Sequence, residues 1–265
     1  MGNLSAKDQQ GIAIIAVVIA VAIGMVAYNS HLSARAKPDE RNCVAPISRK
    51  TVFVIDQSDA IPSQTITEIR NRALQTVAND VQANELVSVY LVSDEARTRL
   101  TAIFSACKPE QQGSELTEDV KAIKRRFKEN FQKPLEAALS LHPPKSVASP
   151  LAEVIVDLSL SDHLRAPDNR LVVFSDMMQN SSNTSLYQCA DAKSAIANYR
   201  EHRSGAVQRP TFKNTDVRLN FIPREGVGPE VAACRTGFWS WFFGDNEGPN
   251  SNLATDYLPG GAKIP

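Results

Sequence analysis

Hydrophobic and polar positions divide the chain into a charge-free N-terminal run and a long stretch where strand-like and helix-like patterns alternate. Residues 11–28, "GIAIIAVVIAVAIGMVAY", hold no charge and no polar side chain before Tyr28. A helix needs about 20 apolar residues to cross a bilayer, so the run predicts one transmembrane helix. Tyr28 would sit at the interface, where aromatic rings are favoured. A cleaved signal peptide is the competing reading, because Ala34-Arg35-Ala36 imitates a processing site. Against it, the run exceeds an ordinary signal core, and the short tail before it (1–10) carries only Lys7, offset by Asp8. Residues 29–50 are polar, contain Pro38 and Pro46, and read as a tether.

"TVFVI" (51–55) is short, β-branched and flanked by turn residues, which fits a strand buried on both faces. Pro62 opens a helix to about Ala83, with Ile66, Ile69, Ala73, Val77 and Val81 at helical spacing. "ELVSVYLVS" (85–93) and "TRLTAIFSA" (98–106) follow so closely that an antiparallel pair is predicted. Residues 115–141 repeat Leu116, Val120, Ile123, Phe127, Phe131, Leu135 and Ala138, an amphipathic helix. Its run "KAIKRRFK" reads as a solvated face rather than a contact for lipid or nucleic acid. Ser149 and Pro150 form a helix start, hydroxyl cap then proline, ahead of "LAEVIVDLSL". "NRLVVFSD" (169–176) is a fourth strand, a helix lies near 187–202, and "DVRLNFIP" (216–223) is a fifth strand. "EVAACRTGFWSWFFG" (230–244) is a last, aromatic-rich helix, in which Trp239 and Trp241 cannot share one face. The tail (246–265) is rich in Gly, Pro and Asn, with a short edge strand at Leu253–Leu258.

This alternation predicts an α/β fold: a doubly wound, mostly parallel sheet with one antiparallel edge strand, occupying residues 51–245. Composition adds little, with hydrophobic residues at 43% and charged residues at 22%, both ordinary for a folded domain. Lys+Arg and Asp+Glu are both 29, so no net field points to nucleic acid. Basic residues flank the apolar run as Lys7 on one side and Arg35, Lys37 and Arg41 on the other, which favours a cytoplasmic body. Four cysteines, an even number, suit an oxidising compartment instead. With a single anchor ahead of a large domain, the balance leans to an inner-membrane protein with a periplasmic body. Four cysteines allow three pairings. Cys107–Cys189 with Cys43–Cys234 is the expectation, and free buried thiols are the alternative.

Ligands of open α/β sheets gather at the carboxyl ends of the strands. Asp56 ends the first predicted strand and Asp176 the fourth; if those strands are neighbours, both carboxylates and Ser58 converge on one rim. Ser149, opening the helix before the fourth strand, reaches the same rim. Oxygen-only donors with few carboxylates suit a hard cation, Mg²⁺ or Mn²⁺. Read singly, Asp59 and Ser149 also fit helix caps, and Asp176 a turn.

Together these residues resemble the von Willebrand factor type A (vWA) family over about residues 48–245. "VIDQSDA" is similar to the family's D-x-S-x-S motif, with Asp56 and Ser58 at its first two positions and Ala60 in place of the final serine. Asp176 in "VVFSD" stands where the family has an acid after its fourth strand, and Ser149 where it supplies a threonine. The resemblance implies a Rossmann-like six-stranded sheet. It also implies a divalent cation held by Asp56, Ser58, Ser149 and Asp176, with Asp59 assisting in place of the lost serine. In the family such a site binds a partner protein, whose acidic side chain completes the shell.

The expectation is therefore a membrane-anchored binding or assembly module, not an enzyme. A metal-free structural subunit of an envelope complex is one alternative, and a metal-dependent phosphoester hydrolase the other. His31, His142, His163 and His202 show no ligand spacing, and no G-x-S-x-G, P-loop or G-x-G-x-x-G occurs.

Overall fold

Strand β1 (Arg49–Asp56) lies inside the sheet because its side chains are apolar on both faces. Val52 and Val54 enter one buried cluster, Phe53 and Ile55 the other. In the computed structural model the described residues are 14–26, 38–56, 58, 61–92, 100–111, 119–140, 146, 148–182, 184–224, 226–244 and 252–258. They form two units, Met1–Pro38 and Asp39–Pro265.

In the first unit, residues 14–26 form helix α1, whose apolar side chains are exposed (Ile14 65%, Met25 67%). Among the described residues no helix is long and apolar enough to cross a membrane. The remainder of the predicted span, 11–13 and 27–28, lies outside them.

In the second unit, the strands after β1 are β2 (Leu86–Val92), β3 (Phe104–Cys107), β4 (Asp168–Ser175), β5 (Thr215–Phe221) and β6 (Asn252–Tyr257). They form one six-stranded sheet in the order β3-β2-β1-β4-β5-β6. Every pairing is parallel except β2 with β3, so the protein is an α/β fold with one antiparallel edge strand. The third strand is shorter than its pattern predicts, beginning at Phe104 rather than residue 98. Residues 93–99 lie outside the described set.

Helices cover both faces. On one face lie α2 (Ser63–Asn79) and a segment made of α3 (Val120–Phe127), a π-helical turn (Lys128–Gln132) and α4 (Lys133–Leu139). Ile69, Ala73, Val77, Phe131 and Leu135 pack there against Phe53, Ile55, Val172 and Phe174. The predicted single helix over 115–141 is thus broken by a π turn just ahead of Pro134, which has no N–H to donate. Lys121, Lys124, Arg125, Arg126 and Lys128 are exposed. Lys108, itself buried, donates through Nζ to the carbonyls of Val77 and Val81 at 2.8 Å, capping α2 at the end where cations are favoured.

On the other face lie α5 (Leu151–Leu160), α6 (Ala192–His202) and α7 (Pro229–Phe243). Helix α5 is apolar around nearly its whole circumference because α7 and α6 share its layer. Gly237 allows α7 close to the start of α6: a Cβ there would lie 2.5 Å from that of Ala192. Trp239 is buried and donates to the Met177 carbonyl at 2.7 Å, while Trp241 is half-buried under Arg209.

The cysteines pair as Cys43–Cys107 and Cys189–Cys234, not as expected. The reason lies in topology. Antiparallel β3 returns Cys107 to the amino end of the sheet, where the chain enters β1, instead of leaving it on the carboxyl-end rim. The folded unit begins at Asp39, inside the stretch expected as a tether, and the edge strand expected in the tail is β6. A bridge across 64 residues restricts the unfolded chain, so Cys43→Ala with Cys107→Ala is expected to lower stability by about 2–4 kcal/mol. Urea unfolding measures it; an unchanged midpoint would contradict the bridge's role.

Candidate functional site

Side chains alternate along a strand, and this places the first site residue. Val52 and Val54 face α5–α7, so Asp56 faces the same way. On β4 that face belongs to Leu171, Val173 and then Ser175. Because Ile55 stands opposite Phe174 in the parallel register, Ser175 falls beside Asp56. Its hydroxyl donates to Asp56 Oδ2 at 2.8 Å.

Two further hydroxyls come from loops. Ser58 donates through Oγ to Asp56 Oδ1 at 2.9 Å, and its backbone N–H reaches the same oxygen at 3.2 Å. Ser149 donates to Oδ2 at 2.8 Å. It is held there by reciprocal backbone bonds with Asn180, at 2.7 and 2.9 Å. The expected capping role for Ser149 is not observed: Pro150 occupies the N-cap of α5, with no side-chain cap bond. A brace behind the loop supports this placement. Gln179 accepts from the Ala152 N–H and donates to buried Glu153 at 2.7 Å, and Ser181 donates to the same carboxylate.

Asp56 is 4% exposed, and Ser58, Ser149 and Ser175 are buried with it. Burial pushes its carboxyl above the ordinary 3.8, the neighbouring Asp176 charge adds to that, and the three hydroxyls pull it back. Among the described residues no Lys, Arg or His forms an ion pair with it. Among the described residues the carboxylate accepts four hydrogen bonds and touches no positive counter-charge.

Asp176 arrives at the same rim but is engaged differently. Its Oδ1 accepts from the Met178 N–H at 2.9 Å, a turn in which Met177 takes a positive φ of 60°. Its Oδ2 pairs with the Arg224 guanidinium at 2.6 Å, and Arg235 donates to its backbone carbonyl at 3.0 Å. Arg224 also lies 4.7 Å above the Tyr187 ring. The expected convergence is therefore observed for Asp56, Ser58 and Ser149. Asp176 is near enough to act on Asp56 electrostatically, with its side chain paired to Arg224. Asp59 lies outside the described residues.

Ser175, Arg224 and Tyr187 escaped the sequence reading. Ser175 had a signal, the parity of β4 once β4 is set beside β1. Arg224 and Tyr187 sit in loops whose contacts no periodicity encodes. Among the described residues, which leave out Asp59, no three His, Cys, Asp or Glu side chains gather as a metal cluster. Hydroxyls that donate to a carboxylate keep lone pairs for a hard cation. The donor set of Asp56, Ser58 and Ser149 fits such an ion, whereas Asp176 already holds a positive group.

No family model and no curated protein matches the chain. Among solved structures it is similar to an aerotolerance-related membrane protein from Bacteroides fragilis NCTC 9343, at 12% identity and a TM-score of 0.33, covering 78% of this chain and 91% of that one. It is also similar to the human COPII-coat protein Sec24c, at 12% identity and a TM-score of 0.35, covering 80% of this chain but 30% of that one. Likeness at these scores supports no argument about function, and the fold stands on its own strand order.

A raised Asp56 pKa makes the cation-free protein lose stability as pH climbs from about 3.8 through the folded value, because the native state then holds a buried charge. Asp56→Asn removes that loss. In chelator, the variant is expected to melt above the parent near neutral pH, with the gap closing as pH falls below 3.8. A gap that widens on acidification contradicts the assignment.

Proposed function

We propose that this chain is a vWA-like binding or assembly module, anchored in a membrane by its N-terminal helix, whose rim takes Mg²⁺ or Mn²⁺ and through it a partner protein. The observation that carries this reading is Asp56: a buried carboxylate on which three hydroxyls from separate segments converge. Asp56, Ser58 and Ser149 would hold the ion directly or through water, with Asp59 and Asp176 as further acidic donors. The bound cation supplies the missing counter-charge and an open position for a partner's acidic side chain. Exposed apolar side chains along α1 support the anchor, and the two disulfides favour a periplasmic body.

A second reading, a metal-free structural subunit of an envelope complex, is favoured by the ion pair of Arg224 with Asp176. Asp176 is paired with Arg224 and Asp56 is enclosed by hydroxyls, a setting that favours binding over phosphoester hydrolysis. Calorimetric titration of the full-length chain with MgCl₂ and MnCl₂ separates the readings. Saturable heat, lost in Asp56→Ala, is expected; absence of heat with either ion favours the metal-free subunit.

A further inference from the structure

Of the charged groups at the rim, Arg224 has a geometry that neither the strand pattern nor the family motif accounts for. It leaves the loop after β5, places its guanidinium 2.6 Å from Asp176 Oδ2, and rests 4.7 Å above Tyr187. Both partners of the ion pair are shielded, with side-chain exposures of 25% for Arg224 and 12% for Asp176. Removing one partner of a pair so shielded leaves a poorly solvated charge behind, and carboxylate and ring are two of the contacts that hold the guanidinium at the rim. Asp176 acts on Asp56 electrostatically, so the Arg224 charge also belongs to the field that a cation at Asp56 would enter.

From this we infer that Arg224 is a resident cation of the site: it competes with a divalent ion for Asp176, and full loading requires its guanidinium to leave that carboxylate. The inference rests on the cation reading given above and adds its control element. Three physical consequences follow. The ion's apparent affinity is reduced by the fraction of molecules in which Arg224 occupies Asp176. Without an ion, Arg224 keeps two neighbouring carboxylates from repelling each other unscreened. A second carboxylate brought by a partner would give the guanidinium another place to pair, which links partner binding to ion binding.

The test uses the full-length protein and three variants: Arg224→Gln, Arg224→Lys and Tyr187→Leu. Mn²⁺ and Mg²⁺ are titrated calorimetrically, and thermal melts are recorded in chelator and in excess ion. If Arg224 competes, Arg224→Gln binds the ions about tenfold or more tightly than the parent, because the competing state is gone. Arg224→Lys stays near the parent, and Tyr187→Leu falls between. Arg224→Gln should also melt below the parent in chelator and recover in excess Mg²⁺, a readout that a purely structural role would not give. Equal ion affinity in parent and Arg224→Gln overturns the inference while leaving the cation site standing. Binding by neither protein overturns both. A variant that melts low in chelator and gains nothing from either ion shows Arg224 to be structural and likewise overturns the inference.

Discussion

A carboxylate taken out of water must be solvated by the protein itself, and around Asp56 that requirement organises the carboxyl end of the sheet. Burial of an ion costs several kcal/mol even after relaxation. Here four neutral donors meet the charge: the hydroxyls of Ser58, Ser149 and Ser175 and the Ser58 N–H. Each comes from a segment placed by something else. Ser175 follows from strand register, Ser58 from the turn after β1, and Ser149 from its backbone pairing with Asn180, itself beside the Gln179–Glu153 brace. Neutral donors offset much of the desolvation cost but leave the charge itself standing. That residual charge is the physical reason why we propose a cation at this rim.

The rest of the fold serves this arrangement by keeping the central strands in step. Apolar side chains on both faces of β1 and β4 lock their parallel register between two helical layers, and a slip of one residue would turn Asp56 toward α2. Arg224, paired with Asp176, adds a positive charge at one edge of the pocket. Asp56 and Asp176 therefore differ in kind, one solvated by neutral groups and the other paired with a guanidinium.

Much of this was legible in the sequence, and what was not has identifiable causes. Continuous apolar runs gave β1 and β4, helical spacing gave α2, and the short interval between "ELVSVYLVS" and "TRLTAIFSA" gave the antiparallel pair. Asp56, Ser58 and Ser149 were readable because strand ends in a parallel sheet face one rim. The disulfides were misread because pairing depends on which end of the sheet a strand delivers, and an antiparallel strand reverses that. Ser149 was readable as a cap from local sequence, yet its hydroxyl serves a residue 93 positions away. Arg224 could not be found from pattern, since an ion pair between loops leaves no periodic trace.

Anomalous diffraction from crystals soaked in Mn²⁺ would show whether the oxygens gathered on Asp56 hold a cation. An anomalous peak is expected within coordinating distance of the Asp56, Ser58 and Ser149 oxygens, with the Arg224 guanidinium drawn away from Asp176. A map with no peak there, and with Arg224 still paired to Asp176 at saturating Mn²⁺, would contradict it.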